Sequence, residues 1–95
     1  MGLRFNTGAN SDVDTSAEQL TTENISTSIG ILVKASSSNT GIIYVGGSDV
    51  TAGTTDATDG FELDAGESLF LEGRNANEIY VIASIANQRV SYIVI

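Results

Sequence analysis

No window of about 11 residues in this chain holds its apolar residues at the i, i+3, i+4, i+7 spacing of an amphipathic helix. From Gln19 onward, short runs rich in Ile, Val, Leu, Tyr and Thr alternate with clusters of Gly, Asn, Asp and Ser. That punctuation marks an all-β domain, with no helix longer than one turn. Strands are expected at Glu18–Ser26, Ile29–Ser36, Gly41–Gly46, Gly60–Asp64, Ser68–Glu72, Glu78–Ser84 and Arg89–Ile95. Between them, Asn39-Thr40-Gly41, Gly46-Gly47, Asp59-Gly60 and Asp64-Ala65-Gly66-Glu67 supply turn chemistry. The architecture expected is a compact β-sandwich or jelly-roll-like barrel of about seven to eight short strands. Its core is expected from Ile31, Val33, Ile43, Val45, Leu69, Leu71, Val81 and Val90.

The first 17 residues differ in character. After Leu3 and Phe5 they are small and polar, with no periodicity. They are expected as an extended N-terminal arm (1–17) on a single domain (18–95). Leu3, Arg4 and Phe5 would fill a pocket on a partner, because Leu3 and Phe5, flanked by Arg4 and Asn6, cannot build a core alone. The competing reading makes Leu3–Asn6 an extra edge strand of the domain's own sheet.

Several strands are apolar on both faces. Tyr80 and Ile82 oppose Ile79 and Val81; Ile93 and Ile95 oppose Val90, Tyr92 and Val94; Ile42 and Tyr44 oppose Ile43 and Val45. A sandwich strand with one wet face alternates apolar with polar residues. Either these strands are central in a barrel, or one sheet face is covered by another subunit. A homo-oligomer, a trimer, is expected, with Tyr44, Ile82 and Ile93 at its interface.

Charge and composition exclude several functions. Lys plus Arg number 4 against 12 Asp plus Glu, a net charge of −8. The cations Arg4, Lys34, Arg74 and Arg89 are scattered, so neither nucleic acid nor an anionic membrane is an expected partner. With no Cys and no His, thiol chemistry, the commonest general base and the usual transition-metal ligands are missing. Glu62 and Asp64 are two residues apart, about 6.7 Å along a strand. They read as solvated carboxylates that discourage edge aggregation rather than a glycosidase pair. The stretch Ser48–Asp59 carries Asp49, Asp56 and Asp59, but not at EF-hand spacing, and reads as a solvated acidic loop. Tyr44, Tyr80 and Tyr92 read as packing residues rather than a sugar-stacking platform. No catalytic residue, metal or cofactor is expected, and the chain is read as a non-enzyme.

Six segments carry a resemblance. They are Glu18–Thr22 (EQLTT), Ile31–Ala35 (ILVKA), Asn39–Thr51 (NTGIIYVGGSDVT), Gly60–Leu71 (GFELDAGESLFL), Glu78–Ser84 (EIYVIAS) and Val90–Ile93 (VSYI). In strand and turn pattern they resemble the small β-sandwich structural proteins of tailed-bacteriophage virions, which are capsid decoration proteins or modules of head fibres and tails. The resemblance spans most of residues 18–95 and includes no invariant chemical motif. It implies a decoration (cement) protein made in the bacterial cytoplasm and placed on the capsid surface of the virion. There it would bridge major capsid protein subunits. The alternative it implies is a receptor- or glycan-binding module of a head fibre or tail protein.

Overall fold

The computed structural model describes residues 6–27, 29–73 and 75–95. Among the described residues eight strands form, β1 (Asn6–Val13), β2 (Glu18–Gln19), β3 (Gly30–Ala35), β4 (Ile43–Gly46), β5 (Phe61–Leu63), β6 (Ser68–Glu72), β7 (Tyr80–Ala83) and β8 (Gln88–Val94). A 3₁₀ turn, Ala76–Glu78, precedes β7. The strands make two four-stranded sheets in the orders β1-β8-β3-β6 and β2-β7-β4-β5. Every neighbouring pair is antiparallel. The domain is a small all-β sandwich, as its punctuated sequence requires.

The inner faces meet in one core. Ile31, Val33, Ile43, Val81 and Val90 are fully buried, and Val45 nearly so. Leu69 and Leu71 are only half-buried, because β6 is an edge strand. The chain adds Val13, Leu63 and Ile79 to this core.

The arm expected at residues 1–17 is corrected over its described part. Asn6–Val13 is β1, paired with β8 from Asn6↔Val94 to Val13↔Gln88, and Val13 is fully buried. Backbone pairing rather than side-chain burial holds this strand, so its sequence N-T-G-A-N-S-D carries no alternation to betray it. The domain therefore begins no later than Asn6. Segment 18–26, expected as one strand, shrinks to the two residues of β2. Beyond it, the chain is held by Asn75, whose Oδ1 accepts from the backbone N–H of Ile25 (3.1 Å) and of Asn77 (3.2 Å).

The two-faced strands have two different explanations. On the outer face of the second sheet, Tyr44 and Ile82 form a separate small core with Val50. Val50 is delivered by the loop between β4 and β5, which folds back over that sheet. Gly60 lets it close: a Cβ there would stand 2.8 Å from the Val45 carbonyl oxygen and 2.7 Å from a Val50 methyl. Asp59 holds the loop's shape. One carboxylate oxygen accepts from Thr51 Oγ1 (2.6 Å), and the other accepts from the backbone N–H groups of Thr55 and Asp56 (both 2.8 Å). The acidic stretch is thus largely solvated, as expected, but tied down as a lid.

These bonds hold the Asp59 carboxyl below its ordinary value of 3.8, first through Thr51 and then through the Asp56 amide. A carboxyl depressed by folding stabilises the fold above its unfolded value, and that contribution is lost as pH falls through the folded value. Below about pH 3.8 the lid is therefore expected to loosen before the main core. Amide exchange by NMR checks this, since residues 50–60 should lose protection first in acid. In Asp59→Ala the same amides should exchange fast already at neutral pH. Uniform loss of protection across both cores would contradict the lid.

Candidate functional site

The outer face of the first sheet has no such cover among the described residues. Register places Thr7 opposite Ile93, Ile93 opposite Leu32, and Leu32 opposite Phe70. Four side chains therefore stand in one row across β1, β8, β3 and β6. The next row is Ala9, Ser91, Lys34 and Ser68. Leu32 and Ile93 are half-buried, and Phe70 is 42% exposed. Phe70 leans over β3, where Gly30 leaves it room: a Cβ on Gly30 would stand 2.6 Å from the ring. The middle of the face is a shallow groove of about 520 Å³, whose lining includes Thr7, Ala9, Leu32, Ile93, Ser91, Lys34 and Arg89.

The cations sharpen the picture. Of the four in the chain, Arg4 and Arg74 lie outside the described residues. The other two, Lys34 and Arg89, are both exposed and both line this groove. A chain of net charge −8 thus places a half-apolar, locally cationic strip on one sheet face. Such a strip suits a partner surface that has apolar side chains beside carboxylates.

The structure separates the residues expected at a subunit interface. Tyr44 is 5% and Ile82 7% exposed, sealed by the chain's own lid, so neither can meet another subunit. This corrects two of the three; the apolar face they indicated is real, but Val50 covers it. Ile93 sits on the open face of the first sheet. Leu3, Arg4 and Phe5 lie outside the described residues; Asn6, which follows them, pairs with Val94 at the border of the same face. Phe70 and Leu32 belong to the open face and were not singled out by sequence. The available signal was their alternation with Leu69/Leu71 and Ile31/Val33.

Other candidate chemistry is dispersed. Glu62 lies on β5, whereas Asp64 has left the strand for the β5–β6 turn. Among the described residues no three His, Cys, Asp or Glu side chains gather as a metal site. The tyrosines share no exposed platform: Tyr44 is buried, and Tyr80 and Tyr92 are half-buried against different cores. Among the described residues no helix is long and apolar enough to cross a membrane.

Burial, and then the charges of Glu62, Asp59 and Asp64, push the Tyr44 hydroxyl above its ordinary 10.0. A tyrosine raised by folding stabilises below its unfolded value, and this is lost as pH rises towards the folded one. Wild-type stability is therefore expected to fall above about pH 10, and Tyr44→Phe should flatten that alkaline limb. Thermal melts from pH 8 to about 11 check it. Identical slopes for the two proteins would remove Tyr44 as the cause.

Compared with family models, with curated proteins and with solved structures, the chain matches none.

Proposed function

We propose that this chain is a structural docking module and not an enzyme. The outer face of its first sheet seats on a larger protein assembly. The observation that carries this reading is the uncovered row Thr7–Ile93–Leu32–Phe70 beside Lys34 and Arg89, on a domain that seals its other apolar sheet face with its own lid. Completing the burial of Leu32, Ile93 and Phe70 contributes about 1 kcal/mol each. One copy so bound is weak, but many copies on a repeating surface add their contacts.

The resemblance to tailed-phage virion proteins supports reading that surface as a capsid shell, and the chain as a decoration protein that bridges major capsid protein subunits. Leu3, Arg4 and Phe5 would extend the contact from the border strand. The trimer expected from sequence loses its main support, since Tyr44 and Ile82 are internal.

Adding the purified chain to undecorated shells of the phage that carries it tests the proposal. It should bind at a fixed number of copies per capsomer and raise the temperature at which the shell opens. Absence of shell binding, together with saturable binding to host envelope polysaccharide, would replace it with the receptor-binding alternative.

A further inference from the structure

Four strands border the two sheets, and three of them are guarded against pairing with another chain. Among these, β1 is polar and its register shifts between Asn10 and Val13, as at a bulge. The others, β2 and β5, are two and three residues long. Short, bulged and polar edges are how β proteins avoid unwanted strand addition. The fourth, β6, has none of these devices. It is five residues long, S-L-F-L-E, pairs with β3 in unbroken register from Gly30↔Glu72 to Lys34↔Ser68, and carries no Lys or Pro.

The hydrogen-bond parity of β6 fixes what its free side offers. Ala35 donates to the Glu67 carbonyl (2.9 Å), and Gly73 donates to the Ile29 carbonyl (3.2 Å). Odd-numbered residues of this strand therefore bond to β3. The N–H and C=O groups of Ser68, Phe70 and Glu72 point the other way. Among the described residues no backbone bond takes them up. That is a row of six unpaired groups on an exposed edge.

We infer that β6 pairs antiparallel with β6 of a second copy, about a twofold axis at Phe70. In that register Phe70 faces Phe70 of the second copy, Leu69 faces its Leu71, and Ser68 faces its Glu72. All six free backbone groups are then used. A shift by two residues leaves some unpaired, and a shift by one turns bonding groups onto non-bonding ones. The acidic chain tolerates this register because each carboxylate meets a neutral residue: Glu72 meets Ser68, and Glu67 meets Gly73. The two Glu72 side chains are four residues apart along the joint, about 14 Å, which is beyond the screening length of about 8 Å in physiological salt.

Packing on both sides favours the same pairing. On the core side, Leu69 and Leu71 line a cleft of about 360 Å³ with Val45, Ile79 and Phe61. Phe61, although on the inward face, is 59% exposed at its mouth. A second copy continues the Leu69/Leu71 row past this opening. On the outer side, the row Thr7–Ile93–Leu32–Phe70 continues into its own twofold image, so an eight-stranded sheet presents one apolar strip. The pairing does not depend on what that strip docks on.

The chain has no cysteine, which makes crosslinking selective. Paired residues that exchange hydrogen bonds have Cα atoms about 5.5 Å apart, within disulfide reach, whereas about 14 Å is not. A mixture of S68C and E72C chains should therefore form a mixed disulfide dimer under mild oxidation, while each variant alone should not. Equal crosslinking of the single variants and the mixture would overturn the register. Sedimentation equilibrium at about 100 µM should show wild-type dimer, and Phe70→Lys should weaken it about tenfold or more by setting like charges face to face. Ser68→Pro removes one outward N–H but leaves the Glu67–Ala35 bond, and should weaken the dimer at an unchanged melting temperature. A wild-type monomer, or a dimer indifferent to both substitutions, would refute the pairing.

Discussion

Replacing Gln88 by Leu is expected to destabilise the domain by about 3 kcal/mol, although Leu is close to Gln in size. Gln88 is the one polar residue buried among the described ones, 3% exposed. Its Oε1 accepts from the backbone N–H groups of Thr40 (2.9 Å) and Gly41 (2.8 Å). Its Nε2 donates to the Ala86 carbonyl (3.0 Å). One amide thus joins the β3–β4 connection to the β7–β8 turn at one end of the sandwich. Asn39 reinforces the joint by exchanging two 2.8 Å bonds with the Arg89 backbone. Leu fills the space but leaves two N–H groups and a carbonyl without partners, at about 1–3 kcal/mol for each one that water cannot reach. For a domain of this size the melting temperature should fall by about 12–24 °C. Thermal denaturation followed by circular dichroism reads it. A shift under about 4 °C would mean that water replaces the amide and that this end of the sandwich is not sealed.

The second large effect concerns docking. The double variant Leu32→Thr/Ile93→Thr puts β-branched side chains, which suit a strand, at two central positions of the open face but removes most of the apolar surface there. On the proposed docking, about 2 kcal/mol should be lost per copy, which would weaken shell binding about 30-fold. Stability should change far less, because both side chains are already half in water. Ile85→Thr is the control. Ile85 is 46% exposed, as apolar as Ile93, but placed in the β7–β8 turn away from the face. Binding titrations of the three proteins on one shell preparation decide the matter. Equal losses in the double variant and the control would make general hydrophobicity, not this face, the source of binding.

Much of the fold is legible in the sequence because the period-2 signal is strong wherever one face is buried. The segments containing Ile31, Ile43, Leu63, Val81 and Val90 announce themselves, and the Gly, Asn and Asp clusters fix where they end. What escapes has physical causes. Strand β1 buries few side chains and is held by backbone bonds, so composition makes it look like an arm. The β4–β5 lid depends on Val50 alone in a polar run, seated against Gly46 and Gly60. A single valine makes no pattern, and the face it covers therefore resembles a subunit contact. Gln88 looks like a turn residue until Thr40, 48 residues away, is brought beside it.

The site is legible to a lesser degree. Two-sided apolarity in the strands correctly implies that something must cover an outer face. It cannot distinguish the sheet covered by its own loop from the sheet left open, because that depends on which strands the loop reaches. Lys34 and Arg89 are 55 residues apart in sequence and look scattered; antiparallel pairing of β3 with β8 brings them into one groove.

The most direct test of the docking face is hydroxyl-radical footprinting of the chain, free and bound to shells. Binding through the first sheet predicts that the reactivity of Leu32, Ile93 and Phe70 falls together, while Ile85 stays as reactive as in the free protein. Protection confined to residues 47–60 and the second sheet, with Leu32 and Ile93 unchanged, would contradict it.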